Sequence, residues 1–153
     1  MTASCPFEHL APFGVLVGSW RLEAHTSPHW RGTIPGEATF EWFDNQAFVI
    51  QRLLVPSPFP IGFYVIGGRD DGDHPGSGSG DTLAHYFDSR NVVRVFKTSF
   101  ADGVWTVWRD SPGFDQRYVG RLAQDGSRID GKWEMRNDAD WFVDFHLDYR
   151  RVH

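Results

Sequence analysis

The feature that most constrains this chain is a succession of short runs in which Val, Ile, Phe, Tyr, Trp and Thr dominate. The runs recur at a spacing of roughly 8–12 residues and are separated by Gly, Pro, Asp and Asn, which is typical of antiparallel all-β proteins. The pattern predicts ten strands, over residues 18–26, 36–44, 47–55, 61–69, 82–89, 92–100, 103–110, 114–123, 127–136 and 141–151.

The order and number of the strands favour closure into a barrel. Turn sequences such as "SRNV", "ADGV" and "DGSR" tolerate positive φ and predict tight hairpins between consecutive strands. We therefore predict an all-β protein with one domain spanning residues 1–153: a single closed antiparallel up-and-down barrel of about ten strands. A short helical segment around Phe7 to Leu16 precedes it. The two longer loops, Ser27 to Gly36 and Asp70 to Asp81, would gate the mouth if both lay at the same end.

Period-two alternation predicts which side chains face the interior. In the last strand the apolar set is expected inside: Trp141, Val143, Phe145, Leu147 and Tyr149. Asp144 and His146 are then expected outside. The same reasoning places Gln116 and Tyr118 inside, and Arg94 inside together with Phe96.

Arg94 is the unusual member of this interior. A buried guanidinium is costly unless it is paired, and none of the predicted inner faces offers a carboxylate that clearly meets it. Two interpretations stay open: either backbone carbonyls and water satisfy Arg94, or it binds the acidic group of a ligand, oriented with the help of Gln116 and Tyr118.

Aromatic residues are abundant, with 13 Phe, 7 Trp and 4 Tyr in 153 residues. Trp42, Phe96, Trp105 and Trp133 fall on predicted inner faces, where they either fill a solid core or line an apolar pocket. We favour a pocket that binds a small hydrophobic molecule, aromatic or acyl, whose polar end Arg94 orients.

A cofactor-independent enzyme is the alternative function. Histidine is the side chain best suited to take or give a proton near neutral pH, so His85 would serve as acid or base if it faced the cavity. Tyr118 and Arg94 would then stabilise developing negative charge in an isomerase, cyclase or hydrolase. A half-buried structural histidine is the competing interpretation of His85.

Composition excludes several other classes. A net charge of −5 without a basic run argues against nucleic acid, and no apolar stretch is long enough to cross a bilayer as a helix. A lone Cys5 and the lack of a signal-peptide pattern indicate a cytoplasmic protein. No metal or cofactor is predicted, because the loop at residues 70–81 lacks the glutamate of an EF-hand and His25 and His29 lack a third ligand. A homodimer is left open.

Some motifs resemble those of a known superfamily. The Gly-x-Trp at Gly18 to Trp20, the antiparallel meander and an arginine in the last strand resemble the calycins, which include lipocalins and fatty-acid-binding proteins. The segments "HYFDSRNV", "DGVWTVWRDSPGFDQRYVGRLAQDGSRIDGKWE" and "DFHLDYRRV" resemble uncharacterised bacterial lipocalin-like proteins of the domain-of-unknown-function 1579 type.

The resemblance implies a closed barrel around a cavity. It also implies that Trp20 packs at one end with Arg150 or Arg151 across its indole. Members of this superfamily include carriers, haem binders and a few enzymes, so haem binding is a weaker alternative. "GSWRLEA" keeps only half of the extended glycine motif of nitrobindin-like haem proteins.

Overall fold

Ten antiparallel strands close into a barrel in the computed structural model, which describes residues 7–153. Each strand pairs with its neighbours in sequence, and the first pairs with the last, so that no edge is left open. The predicted fold class is confirmed. The strands are β1 Gly18–His25, β2 Ile34–Phe43, β3 Phe48–Leu54, β4 Gly62–Arg69, β5 Thr82–Asp88, β6 Val93–Ala101, β7 Val104–Arg109, β8 Asp115–Leu122, β9 Arg128–Arg136 and β10 Trp141–Arg151.

A 3₁₀ helix at Glu8–Leu16 covers one end of the barrel, which we call the closed end. It buries Leu10, Phe13 and Leu16, and the ring of Phe13 lies 6.4 Å from that of Phe100 at the end of β6. These apolar contacts anchor the helix over the strands. The short helical segment expected from the sequence is confirmed.

Trp20 and Arg151 seal the same end. The guanidinium carbon of Arg151 lies 4.1 Å from the centre of the Trp20 ring, and the Trp20 indole donates a hydrogen bond to the Leu16 carbonyl at 2.9 Å. Arg151 also donates to the carbonyls of Val15 and Val17 at the end of the helix. The arrangement that the resemblance implied is thus present, and the arginine is Arg151.

The half of the barrel nearest the closed end is filled by aromatic side chains. Trp105, Tyr118 and Tyr149 are each at most 3% exposed, and their ring centres lie 5.4–6.3 Å apart. An enclosed void of about 30 Å³ remains between them, enough for about one water molecule. This half of the interior is a packed core.

The two long loops lie at opposite ends of the barrel. Residues 26–33 connect β1 to β2 at the open end, whereas residues 70–81 connect β4 to β5 at the closed end. The condition for both loops to gate the mouth is therefore not met, because strand direction alternates around a meander. Asn91, Asp102, Gly103 and Gly126 have positive φ, as the hairpin sequences predicted.

A β-bulge in β10 changes which residues face inward. Pairing with β9 shifts between Val143 and Phe145, so Tyr149 and Phe145 face in as predicted, whereas Trp141 faces out. The Trp141 ring instead packs under the guanidinium groups of Arg117 and Arg136, at 3.9 and 4.9 Å. The alternation rule fails here because a bulge adds one residue to one strand.

No helix within residues 7–153 has the length and apolar character needed to span a membrane.

Candidate ligand-binding site

A cavity of about 350 Å³ opens at the end of the barrel opposite the 3₁₀ helix. Its volume falls within the usual range for small-molecule sites. The walls are mainly aromatic and aliphatic, with a few polar groups. They are formed by Leu22, Ala24, Trp30, Ile34, Leu53, Val55, Phe59, Pro60, Tyr64, Tyr86, Arg90, Arg94, Phe96, Gln116, Trp133, Asp144, Phe145 and Leu147.

Arg94 lies at the start of β6 and is among the residues that line this cavity. Its guanidinium carbon lies 5.2 Å from the centre of the Phe114 ring. No carboxylate among residues 7–153 forms an ion pair with it. An aromatic face attracts a cation by about 0.5–2 kcal/mol but does not neutralise it, so the cavity holds a positive charge without a counter-ion.

Arg109 and Gln116 extend the polar wall beside Arg94. They pair across β7 and β8 at the mouth, and the guanidinium carbon of Arg109 lies 5.4 Å from the same Phe114 ring. Burial, and secondarily the charge of Arg94, lowers the pKa of Arg109. The Nε of Arg109 and the side-chain oxygen of Gln116 are buried without a hydrogen-bond partner. Unsatisfied buried polar atoms are rare, and of these two residues Gln116 lines the cavity.

Arg90 also borders the cavity, but its charge is neutralised. Asp88 accepts hydrogen bonds from the Arg90 Nη2 at 2.6 Å and from the Tyr86 hydroxyl at 2.7 Å. It also accepts one from the backbone N–H of Arg90 in the following turn. These bonds, the Arg90 guanidinium above all, hold the pKa of Asp88 well below its usual range. Burial, followed by the contact with Asp88, raises the pKa of Tyr86 to about 12.

Asp144 faces the cavity from β10, contrary to the expectation that it lies outside, because the bulge turns it inward. Its Oδ1 lies 3.1 Å from Nε2 of His29 in the 26–33 loop. Burial raises the pKa of Asp144, and the His29 contact offsets part of that effect. Alternation places Asp144 on the outer face, so it does not identify Asp144 as a cavity residue. No sequence signal links Asp144 to His29.

Trp30 lies in the mouth between two phenylalanines. Its ring centre is 5.5 Å from that of Phe59, in the β3–β4 connection, and 5.4 Å from that of Phe145 in β10. The indole Nε1 is buried without a hydrogen-bond partner. Sequence reasoning missed Trp30 because it lies in a loop, where alternation says nothing about direction.

Four of the seven predicted ligand-binding residues line the cavity at the open end. Arg94, Gln116, Phe96 and Trp133 line the cavity, and the ring of Phe96 lies 5.8 Å from that of Trp133. Trp105 lies deeper, in the packed core around the 30 Å³ void. The structure thus brings together most of the predicted pocket.

Tyr118 faces inward as predicted but belongs to the packed core. It is 1% exposed, and its hydroxyl donates a hydrogen bond to the Leu147 carbonyl at 3.0 Å. Burial raises its pKa well above the usual range. A neutral phenol already bonded to the backbone neither orients a ligand nor transfers a proton at neutral pH, which corrects both roles expected of Tyr118.

His85 and Trp42 lie away from the cavity. His85 sits in β5 between Ala84, 1% exposed in the core, and Tyr86, which lines the cavity, so its side chain is on the outer surface. It cannot act on a molecule inside the barrel. Trp42 faces inward but at the closed end, where it packs beside Gly14 of the 3₁₀ helix.

The candidate metal ligands can be checked within the part of the chain that the structure describes. Among residues 7–153, no group of three or more His, Cys, Asp or Glu side chains could hold a metal ion. His25 bonds instead to Asp148 at 2.8 Å and His29 to Asp144. Cys5 lies outside the described residues.

Comparison with known proteins supports the fold and nothing finer. No protein-family model matches the chain, and no curated protein matches it. Among solved structures, the chain is similar to Rv2717c from M. tuberculosis, with a TM-score of 0.59 and 13% sequence identity over 95% of this chain and 98% of that one. At this identity the likeness shows a shared barrel fold only.

Proposed function

We propose that the protein binds a small, largely apolar molecule with an anionic group, an aromatic or acyl carboxylate or a related acid. The anion contacts Arg94, assisted by Gln116, and the apolar part fills the cavity. One observation carries this proposal: Arg94 faces the cavity and has no carboxylate counter-ion among residues 7–153. A half-buried guanidinium of this kind is best stabilised by an anion that arrives with the ligand.

The apolar walls of the cavity provide most of the affinity for the ligand. Phe96, Trp133 and Phe145 offer flat apolar surfaces, and burying apolar area contributes about 25 cal/mol per Å². The charged group supplies orientation, because Arg94 lies on one side of the mouth. The oxygen of Gln116 accepts a hydrogen bond from a protonated or hydroxylated part of the ligand near the acid.

The enzyme and haem alternatives have less support. The acid–base roles considered for His85 and Tyr118 do not fit their positions outside the barrel and within the packed core. No histidine within residues 7–153 lines the cavity. Membership of the domain-of-unknown-function 1579 type, a cytoplasmic location and a homodimer stay predictions.

The test compares two fluorescent probes with the same aromatic skeleton. Anilinonaphthalene sulfonate carries an anion, whereas N-phenylnaphthylamine does not. We expect Arg94→Gln to weaken sulfonate binding about tenfold or more, the loss of a charge-assisted hydrogen bond, and to leave the neutral probe unchanged. Arg94→Lys keeps the charge without the planar fork and should recover part of the loss.

Arg128→Gln is the matched control, since Arg128 is exposed at the closed end of the barrel and pairs with Asp130. It should leave both probes unaffected. Equal sulfonate affinity in the wild type and Arg94→Gln would refute the proposal.

A further inference from the structure

A second polar corner lies in the cavity, away from Arg94. Around the barrel, Asp144 in β10 and Arg94 in β6 are separated by three strands, β9, β8 and β7. In a ring of ten strands this places them on nearly opposite walls. A ligand held by Arg94 therefore extends its far end toward Asp144.

The corner contains one donor without an acceptor and one carboxylate that is not fully buried. Asp144 uses Oδ1 for His29, and its side chain, 19% exposed, lines the cavity. Trp30 has a buried indole N–H without an acceptor. Trp30 and Asp144 lie in the same part of the cavity. His29, which precedes Trp30, contacts Asp144, and Trp30 itself packs against Phe145, which follows Asp144.

We propose that the ligand carries a hydroxyl group at the end remote from its anion, and that Asp144 and Trp30 bind this hydroxyl. The inference rests on the proposed function, since it assumes that Arg94 holds the anionic end. The ligand class is then an ω-hydroxylated acyl or arylalkyl acid.

The chemistry of the corner distinguishes a hydroxyl from other polar groups. A hydroxyl donates one hydrogen bond and accepts others, so it satisfies both the Asp144 oxygen and the Trp30 N–H. An ammonium only donates and leaves the indole unsatisfied. A second carboxylate only accepts and would be repelled by Asp144. A methyl end would displace water from the Asp144 carboxylate and leave the Trp30 N–H without a partner, which costs free energy.

The test titrates the protein of residues 1–153 with decanoate, ω-hydroxydecanoate and ω-aminodecanoate by isothermal calorimetry. We expect the wild type to bind the hydroxy acid about tenfold or more tightly than decanoate, since a hydrogen bond to a charged group has that effect. ω-Aminodecanoate should bind no more tightly than ω-hydroxydecanoate.

Two variants locate the preference. Asp144→Ala removes the acceptor, and Trp30→Phe removes the indole N–H while keeping an aromatic ring against Phe59 and Phe145. Each should reduce the preference for the hydroxy acid at least severalfold, because the hydroxy acid loses a hydrogen-bond partner and decanoate no longer leaves that group without one. If Asp144→Ala fails to fold, Trp30→Phe still tests the inference.

Asp148→Ala is the matched control. Asp148 forms the same kind of pair, with His25 at 2.8 Å, on the outer face of the same strand. This variant should keep the full preference.

The outcomes separate the two proposals. If decanoate and ω-hydroxydecanoate bind the wild type equally, the hydroxyl inference is overturned and the proposed function stands. The hydroxyl inference is also overturned if the preference for ω-hydroxydecanoate survives in both Asp144→Ala and Trp30→Phe. It is overturned as well if ω-aminodecanoate binds more tightly than ω-hydroxydecanoate. If Arg94→Gln leaves all three affinities unchanged, or if none of the acids binds, the proposed function falls as well.

Discussion

The guanidinium of Arg94 lies 5.2 Å from the centre of the Phe114 ring, and that of Arg109 lies 5.4 Å from the same ring. Two cations thus share one neutral aromatic partner at the mouth of the barrel. Neither forms an ion pair with a carboxylate within residues 7–153. The mouth therefore holds two guanidinium groups without a carboxylate partner, in a chain whose net charge is −5.

If Arg94 serves a ligand, removing it should not destabilise the ligand-free protein. We expect Arg94→Gln to keep or raise the Tm, because the variant removes a partly desolvated charge that has no counter-ion. Arg136→Gln is the control and should lower the Tm by a few degrees, since Arg136 bonds to Asp115 at 2.8 Å. Differential scanning calorimetry measures both. A large loss of Tm in Arg94→Gln would indicate a structural role instead.

His85 provides a second check on the geometry. Its side chain lies outside the barrel, so His85→Gln should leave the affinity for anilinonaphthalene sulfonate within about twofold of the wild type. Fluorescence titration gives the comparison directly. A substantial loss of affinity would mean that β5 presents its opposite face to the cavity.

Tyr118 packs directly over Gly131 and Gly120, which leaves no room for a side chain. A Cβ at Gly131 would overlap the buried phenol, so Gly131→Ala should destabilise the protein by about 1–3 kcal/mol. Gly68→Ala, in β4, is the control, because a Cβ there meets nothing within 4 Å. Urea unfolding measures both variants, and equal stabilities would contradict the packed core described here.

The Asp88 cluster predicts a pH-dependent contribution to stability. Hydrogen bonds from Arg90 and Tyr86 lower the pKa of Asp88 in the folded state. Such a carboxyl stabilises the fold above its unfolded pKa of about 4, and this contribution is lost as pH falls toward the folded pKa. Asp88→Asn should therefore be less stable than the wild type at neutral pH, with the difference shrinking below about pH 4.

Urea unfolding at neutral pH and at about pH 3 tests this expectation. Asp102→Asn, in the exposed β6–β7 turn, is the control and should follow the wild type at both pH values. A difference between Asp88→Asn and the wild type that stays constant across the range would rule out the linkage.

The barrel can be predicted from the sequence because strand number and turn sequences are local signals. A meander of ten strands then favours closure. Alternation also places Arg94, Gln116 and Phe96 inward correctly. It places Trp42 inward but assigns it to the pocket, although the strand order alone puts the end of β2 and the start of β6 at opposite ends. The position of Trp42 at the closed end could therefore be predicted from the strand order.

Other parts of the site depend on tertiary structure. Asp144 reaches the cavity through a bulge that leaves no clear trace in the sequence, and Trp30 reaches it through a loop held by contacts with Phe59 and Phe145. The direction of His85 could not be predicted, because β5 carries apolar residues on both faces. Which half of the interior is hollow depends on packing against the 3₁₀ helix, and alternation does not report depth.

The central claim is most directly tested by a crystal structure of the protein with bound anilinonaphthalene sulfonate. We predict the aromatic rings in the open-end cavity, against Phe96 and Trp133, with the sulfonate within hydrogen-bonding distance of the Arg94 guanidinium. A sulfonate directed into solvent, or a probe bound only on the outer surface, would contradict the account.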